Sequence, residues 1–180
     1  MNRRRLLKAT AAAAVALLLS GHTPYGQWAV YRRKHLLIGS HRGDPETYDV
    51  AKRVEAILAE HLPAASARVA RAPHAGRLAS LLGTEQMEVA ILGAADAGAM
   101  LDGTGAFAPY GPIALTVLAP VAGRLLVARA DFPDRHAWLV TAALAGTELA
   151  PEAAWPADTS LPWHPGSIAF LEGLPEPGDG

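Results

Sequence analysis

The amino-acid sequence predicts an α/β fold, a mostly parallel sheet flanked by helices. Two observations carry that expectation: short apolar runs alternate with helical stripes along the chain, and the helical stripes open on helix-start chemistry. A third sets the size. Of 180 residues, 51% are apolar and 18% charged, which suits one buried core and excludes disordered, collagen-like and disulfide-dense classes.

His35-Leu-Leu-Ile-Gly-Ser40 is an apolar run ending in a glycine turn, and reads as the first strand. Asp44-Pro45-Glu46 then opens a helix with an N-cap residue, a proline at the first helical position and an acid in the first turn. Val50, Val54, Ile57, Leu58 and Leu62 follow at helical spacing, so one stripe is buried; Pro63 stops it. Ser66 to Ala70 is a strand candidate. Leu78, Leu81 and Leu82 form a second helical stripe closed by Gly83, and Val89 to Leu92, apolar on both sides, reads as a central strand. A small-residue helix from about Asp96 to Leu101 ends at Asp102-Gly103, before a glycine- and proline-rich loop to Pro112. Ile113 to Leu118 and Leu125 to Ala128 are further strands, joined across Pro120 to Gly123 by a hairpin or an irregular connection. Asp131-Phe-Pro133-Asp134 starts another helix, with Trp138, Leu139, Ala142 and Ala143 on one face and Gly146 as its C-cap candidate. Thr147 to Pro162 is expected to wrap the surface. His164-Pro165-Gly166-Ser167 begins a final short helix bearing Ile168 and Leu171.

The N-terminus reads as a targeting segment. Arg3-Arg4-Arg5-Leu6-Leu7-Lys8 precedes an apolar run from Ala9 to Leu19, the basic and apolar regions of an export signal, and the paired arginines resemble the twin-arginine pattern. The absence of an A-x-A-like cleavage site keeps an N-terminal anchor open. Residues 1–21 are therefore an export signal or anchor, 22–34 a linker, 35–173 a single α/β domain and 174–180 a disordered tail. Residues 1–21 hold four cations and no acid, so the formal charge of −1 becomes −5 for the remainder, against nucleic-acid binding. There is no cysteine, hence no disulfide or thiolate site.

In an open parallel sheet, ligands sit beyond the carboxyl ends of the strands, where helix N-termini point. Three loops qualify: Gly39 to Glu46, Arg71 to Gly76 with His74, and Gly93 to Asp96. The first combines glycines with Ser40, His41, Arg42 and the opening amides of the next helix, a pattern able to hold a carboxylate or phosphate. Enzymatic signatures are poor. Gly39-Ser40-His41-Arg42-Gly43 is not the G-x-S-x-G elbow, Gly103-Thr-Gly105 lacks the third glycine of a dinucleotide fingerprint, and the seven histidines show neither H-x-x-H nor H-E-x-x-H spacing. A non-catalytic protein with no metal and no cofactor is expected.

Several of these segments resemble the TAXI group of solute-binding proteins, the extracytoplasmic receptors of TRAP-type transporters. Leu37-Ile38-Gly39-Ser40, Gly43 and Thr47-Tyr48 resemble the family's first strand, glycine-rich loop and Thr-Tyr pair. Leu81-Leu82 followed by Glu88-Val89-Ala90-Ile91-Leu92 is similar to its next helix and strand. Leu161-Pro162-Trp163-His164-Pro165-Gly166-Ser167-Ile168 resembles its His-Pro-Gly-Ala-Ile motif. Family members are longer and have two lobes. Here Leu125 to Asp134 passes directly into a helix, and Gly93-Ala94-Ala95 stands where the family commonly has Gln-Ser-Asp. The resemblance implies one lobe of a type II periplasmic binding protein, exported to the periplasm. It implies a solute-binding or accessory role in a TRAP-type system, with Ser40, His41, Arg42, Thr47, Tyr48, His74 and Asp96 as ligand-binding candidates. A small carboxylate is the expected solute, and TRAP-type membrane subunits or another envelope protein the expected partners. The alternative is a periplasmic interaction protein derived from a solute receptor that no longer binds a small ligand.

Overall fold

The computed structural model describes residues 34–155 and 159–178. The expected export signal or anchor and nearly all of the linker lie outside the described residues. Five strands form one sheet: β1 (Leu37–His41), β2 (Arg68–Ala72), β3 (Val89–Leu92), β4 (Leu115–Val121) and β5 (Arg124–Arg129). Among the described residues, five α-helices accompany them: α1 (Pro45–His61), α2 (Ala75–Gly83), α3 (Ala94–Asp102), α4 (Asp134–Leu144) and α5 (Pro165–Leu171).

Local chemistry accounts for the helix ends. α1 starts with Pro45 at its first positions, where a missing N–H costs nothing, and ends at Leu62 before Pro63. His74 caps α2 through its ring, its Nδ1 accepting from the Arg77 N–H at 3.1 Å. His164 caps α5 in the same way, with Nδ1 accepting from the Gly166 N–H at 3.2 Å.

The strand order is β2-β1-β3-β5-β4. β1 pairs in parallel with β2 and β3, while β5 runs antiparallel to both β3 and β4. The expected, mostly parallel arrangement is thus corrected to a mixed sheet, with two of its four strand pairings antiparallel. The reason is the connection: β4 and β5 are joined by Ala122-Gly123, whose φ values of 47° and 73° make a two-residue hairpin turn, and so short a link permits only antiparallel pairing.

Helices cover both faces. Ile38, Val89, Ile91, Leu126 and Ala128 point to the face covered by α1 and α4. Ala90, Leu92, Leu125 and Val127 point to the other, under α2 and α3. The alternation along β5 is the pleat made visible, successive side chains feeding opposite layers. Gly39 leaves room on the second face for the ends of Leu78 and Met87, since a Cβ there would stand 2.6 Å from Leu78 Cδ1 and those side chains would have to shift.

The outer edge of β4 is closed by the chain's C-terminal part. The Val117 N–H donates to Pro162 O at 2.8 Å, and the His164 N–H donates to Val117 O at 2.9 Å. Trp155 packs on the first core and Trp163 on the second, their rings 5.6 Å apart across this edge. The stretch from Thr147 to Pro162 does more than wrap the surface, because Leu149, Ala150 and Leu161 are buried. α5 is held against α4 by buried polar contacts: Thr141 and Ser167 hydroxyls lie 2.8 Å apart, and His164 Nε2 meets Phe132 O at 2.8 Å. Beyond α5, the Trp138 Nε1–H donates to Leu174 O at 3.2 Å, and Arg135 pairs with Glu176 at 2.6 Å.

Candidate functional site

The carboxyl ends of β1, β2 and β3 lie at one end of the sheet, followed there by the N-termini of α1, α2 and α3. The antiparallel direction of β5 brings its first residue, Arg124, to the same end, because Leu125 pairs with Leu92, the last residue of β3.

Two buried residues end β1. Ser40 alternates with Ile38 and so belongs to the face under α1; His41 belongs to the α2 face. Both are almost fully enclosed, at 0% and 4% exposure, yet Ser40 Oγ and both His41 ring nitrogens have no hydrogen-bond partner. An unmet buried polar group costs on the order of 1–3 kcal/mol, so three in succession mark a place where the fold forgoes stability.

Thr47 holds the loop in shape. Its buried hydroxyl donates to Asp44 O at 2.6 Å and receives the His41 N–H at 3.4 Å. Asp44, at the N-cap position of α1, makes no side-chain bond to the helix amides. Its carboxylate turns instead toward Arg124, with Oδ2 3.2 Å from Nη2, and Glu46 approaches the same nitrogen at 2.6 Å. Arg124 Nε is buried and unpartnered.

The other predicted residues sit around this centre. Arg42 is exposed, anchored through its backbone N–H to Ala72 O at 3.0 Å. Tyr48 lies half-buried beneath the Arg71 guanidinium, 4.5 Å from its ring centre, a cation–π contact between α1 and β2. His74 is committed to capping α2. Asp96 is half-buried in the first turn of α3. Thr47 is thus bonded to the His41 backbone, Ser40 and His41 turn to opposite faces of the sheet, Arg42 and Tyr48 follow on the same loop and helix, and His74 and Asp96 stand on the two neighbouring loops.

Arg124 was not among the expected residues. Its signal, an isolated arginine directly after a glycine turn and before Leu-Leu-Val, gains meaning only once β4 and β5 are known to form a hairpin. Asp44 and Glu46 were read as helix-start residues, and their second role as partners of Arg124 depends on the same antiparallel strand.

A separate open cavity of about 350 Å³ lies at the far end of α1, lined by His61, Leu62, Leu139, Ala142, Gly146 and Thr147. It gathers no charged cluster. Among the described residues, no group of three or more His, Asp or Glu is placed to hold a metal ion, and no helix is long and apolar enough to cross a membrane. No protein-family model, curated protein or solved structure matches the chain.

Proposed function

We propose that this chain is an exported, single-lobe TAXI-like solute-binding or accessory protein of a TRAP-type transport system, which holds an organic anion at the mouth formed by Ser40, His41, Arg42 and Thr47. One observation carries the reading. Ser40 Oγ, His41 Nδ1 and Nε2, and Arg124 Nε are buried polar atoms without protein partners at one end of the sheet. Hydrogen-bonding capacity left unmet in this way suits a polar ligand that completes it. A mixed α/β sheet with helices on both faces accommodates a single receptor lobe, and the basic, apolar N-terminal sequence supports export.

A mouth on a single lobe stays open to water on its outer side, and each charge-assisted bond there gains less than in a sealed cleft. Calorimetry with dicarboxylates and amino acids, comparing wild type with Arg42→Ala, tests the assignment. Weaker binding by the variant supports it; equal binding, or no heat from either protein, removes it. Mass measurement of the mature N-terminus from periplasmic extract tests export.

A second reading rests on a different surface. Ile168 and Leu171 on α5 and Leu174 just beyond it are 40–50% exposed, an apolar group suited to a protein partner. Under this reading the chain is a periplasmic interaction protein that no longer binds a small ligand. A defined complex with an envelope protein, dissolved by Leu171→Asp and accompanied by no heat with any carboxylate, would select it.

A further inference from the structure

The arginine that reaches the first loop from the start of β5 is only half used. A guanidinium offers a carboxylate two parallel N–H groups along one edge, from Nε and Nη2. On Arg124, Nη2 carries both Glu46, at 2.6 Å, and Asp44, at 3.2 Å, while Nε on the same edge is buried with no partner. A two-pronged donor is thus filled at one prong and empty at the other.

The two acids differ in how firmly they are placed. Asp44 is 25% exposed and its backbone carbonyl is bound by the Thr47 hydroxyl; Glu46 is 77% exposed and its side chain reaches Arg124 from solvent. An ion pair with so exposed a partner is weak, because water competes for both charges and a long side chain must be immobilised. Ser40, on the same face of the sheet, adds a second unmet group beside the mouth.

We infer that Arg124 is the residue that grips the ligand's carboxylate and that Glu46 is a built-in stand-in, occupying Nη2 until an incoming carboxylate takes both Nε and Nη2 and displaces it. The inference rests on the solute-binding reading above and deepens it in two ways. It moves the primary cation from Arg42 to Arg124, and it makes the empty site self-occluding, so that affinity is set by competition with the chain's own acid. The ligand class is a small molecule with at least one free carboxylate able to make two parallel contacts.

The test uses succinate and L-glutamate as probes, with calorimetry on the full chain and the Arg124 Nε–H resonance followed by NMR. Glu46→Gln removes the competitor and is expected to tighten binding about two- to fivefold, the span of an exposed ion pair. Arg124→Lys keeps the charge and loses the fork, and is expected to weaken binding about tenfold or more. Thermal melts of each variant show that the fold persists. In wild type the Nε–H resonance is expected to shift on saturation. If Arg42→Ala weakens binding while Glu46→Gln and Arg124→Lys bind like wild type, the role of Arg124 is overturned and the solute-binding reading survives. If no protein produces heat and the Nε–H resonance stays in place at millimolar probe, both fall together.

Discussion

The same substitution at two glycines should move stability in opposite directions. Gly166 sits in α5 where that helix meets the first turn of α4, and a Cβ built there would lie 2.8 Å from the Asp134 carbonyl carbon and 3.0 Å from Ala137 Cβ. Both obstacles belong to helix backbone or to a Cβ, neither of which can swing aside, so α5 must move off α4. Doing so stretches the Thr141–Ser167 contact and the bond from His164 to Phe132. Overpacking of this kind costs about 1–3 kcal/mol. For a domain of this size, that lowers Tm by about 4–10 °C. Gly98, in the middle of α3, has nothing within 4 Å of its Cβ position. There alanine only reduces the freedom of the unfolded chain and improves helix propensity, a gain of up to about 1 kcal/mol. Gly98→Ala should therefore raise Tm by about 2–4 °C. Differential scanning calorimetry of both variants of the full chain measures the pair. A Gly166→Ala melt within a degree of wild type, or a Gly98→Ala melt lowered as much as that of Gly166→Ala, would refute the packing argument.

Three further outcomes are expected. Phe132 O can only accept and the Gly166 N–H can only donate, so His164 is neutral with its proton on Nε2, and burial holds its pKa below the usual histidine value. The folded state thus resists protonation: its full contribution is present above the unfolded histidine pKa of about 6.5 and declines as pH falls below it. Urea midpoints should drop between neutral and mildly acidic pH in wild type and drop less in His164→Asn, whose amide can still cap α5; equal slopes would reject the assignment. Thr141→Val keeps the shape but loses the hydrogen bond to Leu118 O, 3.2 Å away, and strands the Ser167 hydroxyl, costing about 1–3 kcal/mol in denaturant unfolding. Ser40→Ala should change stability by less than about 0.5 kcal/mol, or increase it, because the hydroxyl it removes has no partner; a large loss would mean that Ser40 is bonded within the fold.

What was legible in the sequence was local. Pro45 at a helix start, Pro63 after its end, and the stripe of Val50, Val54 and Leu58 involve neighbours a turn apart, and α1 follows them closely. Val89 to Leu92 reads as a strand because all four residues are apolar, and all four are buried. β2 is displaced by two residues from the expected Ser66–Ala70, since Arg68 and Arg71 on an edge strand break the apolar signal. Pro120 was expected in the connection but lies inside β4, whose place at the sheet's edge tolerates a missing donor. The direction of β5 turns on which of the two connections, hairpin or irregular, Pro120 to Gly123 forms. It depends on a hairpin rather than on any residue within the strand, and with it went the position of Arg124. The first loop is legible as a glycine-rich turn between a strand and a helix start, whereas the burial of Ser40 and His41 reflects layers contributed by distant segments.

The competition at Arg124 also bounds what the site can achieve. A carboxylate arriving there exchanges one acid for another on Nη2, so the net electrostatic gain comes mainly from filling Nε and from any contact to Ser40 on the same face of the sheet, not from the full strength of an arginine fork. A charge-assisted hydrogen bond contributes about 1.5–3 kcal/mol, and the neutral ones about half that. Against the cost of immobilising a small molecule, such a sum corresponds to dissociation constants in the micromolar to millimolar range. Removal of Glu46 raises that ceiling only slightly, because Asp44, the better-buried acid, stays in place. Tight binding would therefore require something that covers the mouth, excludes water and strengthens each of these bonds, and a partner protein seated over the strand ends could supply that cover.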